Sequence, residues 1–271
     1  MATTAKKAKE PPKSLESVER VARVLRTFES AAAFSLAEIA RRSGLNEATA
    51  LRYLTSLVNN GFVERTPANR YRPGWELFRL GQLALTNRVP REIVLPVMEE
   101  LRGRFDETVN LAIREGDDLV IVEVMSPTRT VKQLNEVGQH DPWHASALGK
   151  AMLAAMAPDE SEALLDRTGC PKFTESTVVD RDQLECELAA TRERGYAIDS
   201  GESEVDLTCV AAPITDSNGA PFYALSVSFL THRLNPDSIE PAGIAVKEAA
   251  AEIRDRLGHG DASSFSSPSS E

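Results

Sequence analysis

Cysteine is scarce in this chain: Cys170, Cys186 and Cys209 are odd in number, widely spaced, and form no CxxC or Cys/His cluster. Neither a disulfide framework nor a zinc finger is indicated. No apolar run approaches the ~20 residues that a membrane span requires, and the opening MATTAKKAKEPPK lacks the apolar stretch of a signal peptide. A cytoplasmic protein with no membrane partner is expected. Aspartate is absent from the first 90 residues, where fifteen Lys and Arg face eight Glu for a net of +7; the rest of a chain totalling −10 therefore carries −17. A positive segment on a strongly acidic body is the charge layout of a phosphate-binding module attached to a soluble sensor, because neutralised phosphates dominate affinity for nucleic acid.

What is present supports that division. At 271 residues, 42% hydrophobic and 27% charged, the chain can build one small and one medium core. In the stretch Ser35 to Arg72, Ser35 and Glu38 have capping-box spacing, Leu36, Ile39 and Ala40 form an apolar stripe, and Gly44 supplies a left-handed stop. Asn46 caps the next helix, in which Ala50, Leu54, Leu57 and Val58 recur at helical spacing before Asn60-Gly61. Thr49, Arg52 and Tyr53 are left facing outward. Alternation from Phe62 to Arg65, a turn at Pro67-Ala68-Asn69 and a return through Arg70 to Arg72 read as a two-stranded wing. The segment is therefore expected to be a winged helix-turn-helix, with the motif over about 35–55 and the wing over 62–72. Its partner would be a double-stranded DNA operator.

Around this module, residues 1–13 form a Lys/Pro-rich tail and 258–271 a Ser-rich one, both expected to be disordered. Ser14 to Ser30 carries Val18, Val21, Ala22, Leu25 and Phe28 on one face, a bracing helix that completes a DNA-binding domain over 14–74. Trp75 to Val89 reads as a linker helix with Leu77, Phe78, Leu80 and Leu85 in helical pattern. Its apolar face is either a dimer seam or packs on its own domain.

The second domain, 90–257, reads as α+β with an antiparallel sheet and helices on one side. Hairpins are expected over Thr108–Val124 and Thr208–Phe229, and helices over Glu92–Phe105, Ala147–Met156, Arg181–Gly195 and Ser238–Leu257. In HASALGKAMLA, Ser146 caps a helix whose first amides have no helical partner. Such amides seat a carboxylate, and Gly149 would let a ligand come close; the same pattern also suits an ordinary capped helix with a packing glycine.

The motifs SLAEIARRSGL, NGFVERTPANRYRPG, HASALGKAMLA, RERGYAIDSGESE and CVAAPITDSNGAPFYALSVS occur in one order, and through them the chain resembles the IclR-type (isocitrate-lyase-regulator) family of bacterial transcriptional regulators. The resemblance covers about Ser14 to Leu257. It implies a winged-helix domain joined by a helix to a GAF-like effector domain, assembled as homodimers or dimers of dimers. It further implies a palindromic operator, more often repression than activation, and an organic or aromatic acid as effector, with no cofactor. Carried over, the effector site would use the backbone at Ala147 and Leu148, beside Gly149, and the side chains of Asp199, Cys209, Ser226 and Ser228. Ser226 and Ser228 alternate on one strand, so both hydroxyls share a face and suit a two-oxygen ligand. Met125, Leu134, Leu207 and Phe229 are candidate walls.

Thr49, Arg52 and Tyr53 are the expected base readers, with Arg41, Arg42, Arg65, Arg70 and Arg72 on phosphates. Asn46, Glu47 and Ala48 depart from the family's usual proline, lysine and serine, which points to a different operator. The competing classes are a cytosolic small-molecule-binding protein whose helix-turn-helix only dimerises, which the +7 segment argues against, and a thiol enzyme built on Cys209 and His144, but nothing in the sequence brings those two together, and no catalysis is expected.

Overall fold

The computed structural model describes residues 14–28, 32–86, 88–130, 133 and 135–258. The tails 1–13 and 259–271, and with them Ser30 and Leu134, lie outside the described residues. The chain divides into two compact units, Met1–Asn87 and Arg88–Glu271.

The first unit contains helices α1 (Glu16–Leu25), α2 (Leu36–Ser43) and α3 (Glu47–Asn59), strands β1 (Val63–Arg65) and β2 (Tyr71–Pro73), and helix α4 (Trp75–Thr86). Both expected caps form. The Ser35 amide donates to Glu38 Oε2 at 2.7 Å while the Glu38 amide donates to Ser35 Oγ at 3.3 Å, and the Thr49 amide donates to Asn46 Oδ1 at 2.8 Å. Gly44 ends α2 in the left-handed region at φ 67°, a conformation that a Cβ would strain. The helices close over Val24, Ile39, Leu54 and Leu57, and the wing adds Val63 and Tyr71 to the same core. Phe34 pairs with Tyr71 through both backbone bonds, 2.8 and 2.7 Å, so the wing is stitched to the entrance of α2. None of the residues of α4 is buried: Trp75, Phe78, Leu80 and Leu83 are 70, 52, 41 and 53% exposed.

In the second unit, α5 (Arg91–Phe105) leads into β3 (Thr108–Glu115) and β4 (Asp118–Met125), followed by β5 (His140–Asp141). Helices α6 (Ala147–Ala155), α7 (Pro158–Thr168) and α8 (Arg181–Arg194) come next, then β6 (Ala197–Ser200), β7 (Leu207–Thr215), β8 (Pro221–Leu230) and α9 (Ile239–Gly258). The strands form one antiparallel sheet in the order β5-β4-β3-β8-β7-β6. Gly258, assigned to the tail from composition, is the last residue of α9. Sequence reading missed three elements: α7, which opens on Pro158 with Asp159 and Glu160 in its first turn, and the two- and four-residue strands β5 and β6.

Helices cover both faces of this sheet, not one as expected. Ala112, Ala197, Cys209, Ala211 and Ala224 share a core with α6, α7 and α8. The alternate residues Val109, Leu111, Val210, Leu225 and Val227 are equally buried, on the side where α5 and α9 pack against the strands. Strands with both faces covered lose the apolar/polar alternation, which is why β7 and β8 are almost uniformly buried. Helix α6 is buried from Ala147 through Ala154, including Lys150. Met152 and Leu153 alone each contribute about 2–3 kcal/mol of apolar burial.

Candidate functional site

In the first unit, α3 presents Asn46, Glu47, Ala48, Leu51, Arg52, Thr55 and Ser56 to solvent. Leu51, 42% exposed, was overlooked because its apolarity suggests core; on a reading helix such a side chain suits a thymine methyl. Arg41 and Arg52 are exposed and make no ion pair among the described residues. The other four arginines expected on phosphates are engaged within the unit. Arg42 stacks over Phe34 at 4.7 Å, Arg65 lies over Tyr71 at 5.9 Å, and Arg72 pairs across the wing with Glu64 at 2.8 Å. Arg70 donates from Nε to the Ala33 carbonyl at 2.7 Å and pairs with Glu38 at 3.0 Å, bracing the capping box. Glu38 is pulled below its ordinary pKa, first by the Ser35 amide and hydroxyl and then by Arg70. Tyr53 does not face outward: it is half-buried against the helical core, so its ring is a packing group. Thr49 is half-buried as well.

In the second unit the register of the sheet assembles one row of polar side chains. Asp199 of β6 pairs with Cys209 of β7, Cys209 with Ser228 of β8, and Ser228 with Thr108 of β3; one step along, Ser226 pairs with Asn110. Cross-strand partners share a face, so all of these lie beneath the helices α6 to α8. Asn110, fully buried, donates from Nδ2 to Ser226 Oγ at 3.3 Å and to Ser228 Oγ at 3.2 Å. Cys209 Sγ donates to Ser228 Oγ at 3.2 Å. Asp199 accepts from the Glu202 amide at 2.8 Å and from the Ser203 amide and hydroxyl. Burial raises its pKa, against those bonds. Nothing in sequence order marks Asn110, because its neighbours here are 116 and 118 residues away.

Helix α6 packs on this face against β6, β7 and β8. The Gly149 amide is held by Ser146 Oγ at 2.9 Å and the Lys150 amide by the Ser146 carbonyl at 3.0 Å, whereas the amides of Ala147 and Leu148 have no partner among the described residues. Two orphan donors at a helix N-terminus attract an anion. Gly149 has a different role from the one expected. A Cβ there would fall 2.2 Å from the Trp143 carbonyl oxygen and 2.6 Å from that of Pro142, so the group approaching it is the chain's own backbone.

Family models match both units: the IclR helix-turn-helix domain over residues 17–67 and the bacterial transcriptional regulator IclR C-terminal domain over 82–255. The chain belongs to the IclR family. Curated relatives of this IclR-family chain include the acetate operon repressor of Salmonella typhimurium, 34% identical over 228 residues and 83% of each sequence. The transcriptional repressor IclR of Escherichia coli is 33% identical over the same extent. Among solved structures, an IclR homologue from Microbacterium hydrocarbonoxydans complexed with 4-hydroxybenzoate matches with a TM-score of 0.78 and 31% identity. The IclR of Thermotoga maritima matches at 0.75 and 28%; each alignment covers 90% of this chain and 99% of the other.

The protein is accordingly a ligand-responsive, DNA-binding transcriptional regulator of the IclR family and not a thiol enzyme. Burial, followed by the nearby Asp199 charge, pushes the Cys209 thiol well above its ordinary pKa, and its hydrogen goes to Ser228. His144 has its own partner in the Pro171 carbonyl at 2.9 Å, stacks on Phe173, and is held below the usual imidazole pKa by burial. Two expected walls also move. Phe229 pairs with Thr208 and meets Phe105 of α5 edge-on at 6.0 Å, and Met125 pairs with Val109, so both belong to the opposite face. Leu207 stays with Cys209 in the core beneath α6, and Val124, opposite Asn110, takes the place expected for Met125. No helix among the described residues is long and apolar enough to cross a membrane.

Proposed function

We propose that this regulator represses transcription from a pseudo-palindromic operator and that a small organic or aromatic acid releases it. The supporting observation is the buried row of Asp199, Cys209, Ser228, Ser226 and Asn110 on the sheet face beneath α6. In this reading a ligand carboxylate sits between the serine hydroxyls and the amides of Ala147 and Leu148. That the Microbacterium homologue carries 4-hydroxybenzoate favours an acid of this class. Leu207 and Cys209 line the apolar end.

At the operator, Arg52 reads a base edge from the exposed face of α3, supported by Asn46, Glu47, Leu51 and Thr55, while Arg41, Arg42, Arg65 and Arg72 set the register on phosphates. Two copies are required, because one reading helix covers one half-site, with the second a helical turn of ~34 Å away. The seam is α4. Trp75 and Phe78 lie against each other at 4.7 Å, yet they and Leu80 and Leu83 stay 41–70% exposed, and a second copy would remove them from water.

Operator binding measured by fluorescence anisotropy at two salt concentrations, with and without 4-hydroxybenzoate, tests this reading. Arg52→Ala is expected to lower discrimination between operator and random duplex by about 1–3 kcal/mol. Arg41→Ala should weaken both duplexes alike and reduce the salt slope by roughly one. Unchanged discrimination in Arg52→Ala would remove it from the base readers.

A further inference from the structure

We propose that Asn110 is a positioning residue that holds Ser226 and Ser228 as hydroxyl donors, so that the site accepts a carboxylate and rejects the matching carboxamide. The proposal rests on the ligand site described above and deepens it.

Asn110 has two Nδ2 hydrogens, and both are engaged, one on each serine oxygen. A hydroxyl oxygen accepts through two lone pairs and donates through one hydrogen. Ser228 Oγ accepts from Asn110 and from Cys209 Sγ, so both of its lone pairs are filled and only its hydrogen remains to offer. Ser226 is filled on one side by Asn110. Neither serine hydrogen meets an acceptor among the described residues, although the two residues are 1 and 3% exposed. A buried donor without an acceptor is unfavourable, and the site proposed above would bring four together: two hydroxyls and the amides of Ala147 and Leu148. The group that satisfies four donors is one with two oxygens, no hydrogens and a negative charge.

The sense of the bonds is maintained from farther out. Asn110 Oδ1 accepts from Asn135 Nδ2 at 3.0 Å, and Asn135 Oδ1 accepts from Gln133 Nε2 at 3.1 Å. At the far end Gln133 Oε1 is buried with no partner among the described residues. Turning all three amides over would place Asn110 Oδ1 against the serines, give Gln133 Oε1 the Asn135 donor, and draw the hydroxyl hydrogens away from a ligand. An anion at the serine end stabilises the donor-presenting sense. A carboxamide would set its own NH2 against a donor and lose that advantage.

The test uses the full-length protein with 4-hydroxybenzoate and 4-hydroxybenzamide, measuring both affinities calorimetrically and folding by thermal melting. Wild type is expected to prefer the acid by about 100-fold or more. Asn110→Asp keeps the shape but accepts both serine hydrogens and adds a negative charge, so acid affinity should fall at least about 100-fold and the preference vanish or reverse. Asn110→Leu, which removes the donors without adding charge, serves if the aspartate variant does not fold; here the acid/amide ratio should fall about tenfold while amide affinity changes little. A wild type that binds the acid no more tightly than the amide overturns the proposal, as does a folded variant that keeps the wild-type ratio. The double variant Ser226→Ala/Ser228→Ala separates the two levels of the argument. If it abolishes acid binding while the Asn110 variants do nothing, the site stands and the role of Asn110 falls; if it binds acid normally, the site itself is misplaced.

Discussion

Replacing Lys150 with methionine should destabilise the second unit severely, and through a route that reaches the ligand site. Lys150 is 1% exposed in the middle of α6, where its ammonium pairs with Glu187 Oε2 at 2.8 Å and with Glu202. Glu202 is itself buried, and its second oxygen has no partner among the described residues. Burial already raises the pKa of Glu202, with Lys150 opposing the rise. Removing one partner of a buried pair leaves an uncompensated charge and costs about 3–5 kcal/mol. At about 2–4 °C per kcal/mol for a unit of this size, the melting transition of the second unit should drop by roughly 6–20 °C at pH 7. With the cation gone, Glu202 binds a proton more readily, so the deficit should shrink as pH falls toward 5.

The same residue connects to function, since the Glu202 amide donates to Asp199 and its carbonyl accepts from Thr177 Oγ1 at 2.7 Å. A displaced Glu202 therefore loosens Asp199, and Lys150→Met should also blunt the response to an acid ligand. The double variant Lys150→Met/Glu202→Gln removes the stranded charge and should recover at least half of the lost stability. Differential scanning calorimetry of the three proteins at pH 5 and 7 decides the matter. A loss below about 1 kcal/mol in the single variant, or a double variant no more stable than the single, would refute the reasoning.

Two other substitutions probe the same unit. Burial, opposed by Ser146, pushes Asp141 up to about 6 from 3.8, so the folded state keeps a proton that the unfolded state has lost; stability from this group is greatest below about pH 4 and falls by up to ~3 kcal/mol as pH rises through 6. Asp141→Asn should flatten the stability profile between pH 4 and 6 in urea titrations, and an unaltered slope would acquit this carboxyl. Gly149→Ala places a methyl 2.2 Å from the Trp143 carbonyl, against backbone that must shift, and should cost about 1–3 kcal/mol with loss of the ligand-induced melting shift. A variant melting and binding as wild type would show that the 142–143 backbone gives way freely.

Apart from α7, whose local start at Pro158 was passed over, causes that lay within a few residues were readable in the chain. The caps at Ser35 and Asn46 and the left-handed stop at Gly44 involve partners no more than four positions apart. The shared face of Ser226 and Ser228 follows from strand alternation alone. Contacts with partners far away were not readable. Arg70, expected on phosphates, is tied to Glu38 and Ala33, 32 and 37 positions earlier, which no local pattern announces. Tyr53 looked outward until the fold supplied a core for its ring, and Phe229 looked like a pocket wall until α5 supplied Phe105 on the other face.

By itself, then, the sequence determined a basic winged helix-turn-helix ahead of an acidic α+β unit, since charge is additive along a chain and helix caps, turns and strand alternation are local. Only tertiary structure decided that helices cover both faces of the sheet, that α6 is buried on all sides with Lys150 inside it, and that Asn110 stands between the two serines. Those arrangements depend on the register between β3 and β8, strands more than a hundred residues apart, and on a bulge in β4 at Val122, opposite Leu111/Ala112, that resets its pairing with β3. A slip of one residue in either register would send every side chain of the row to the opposite face.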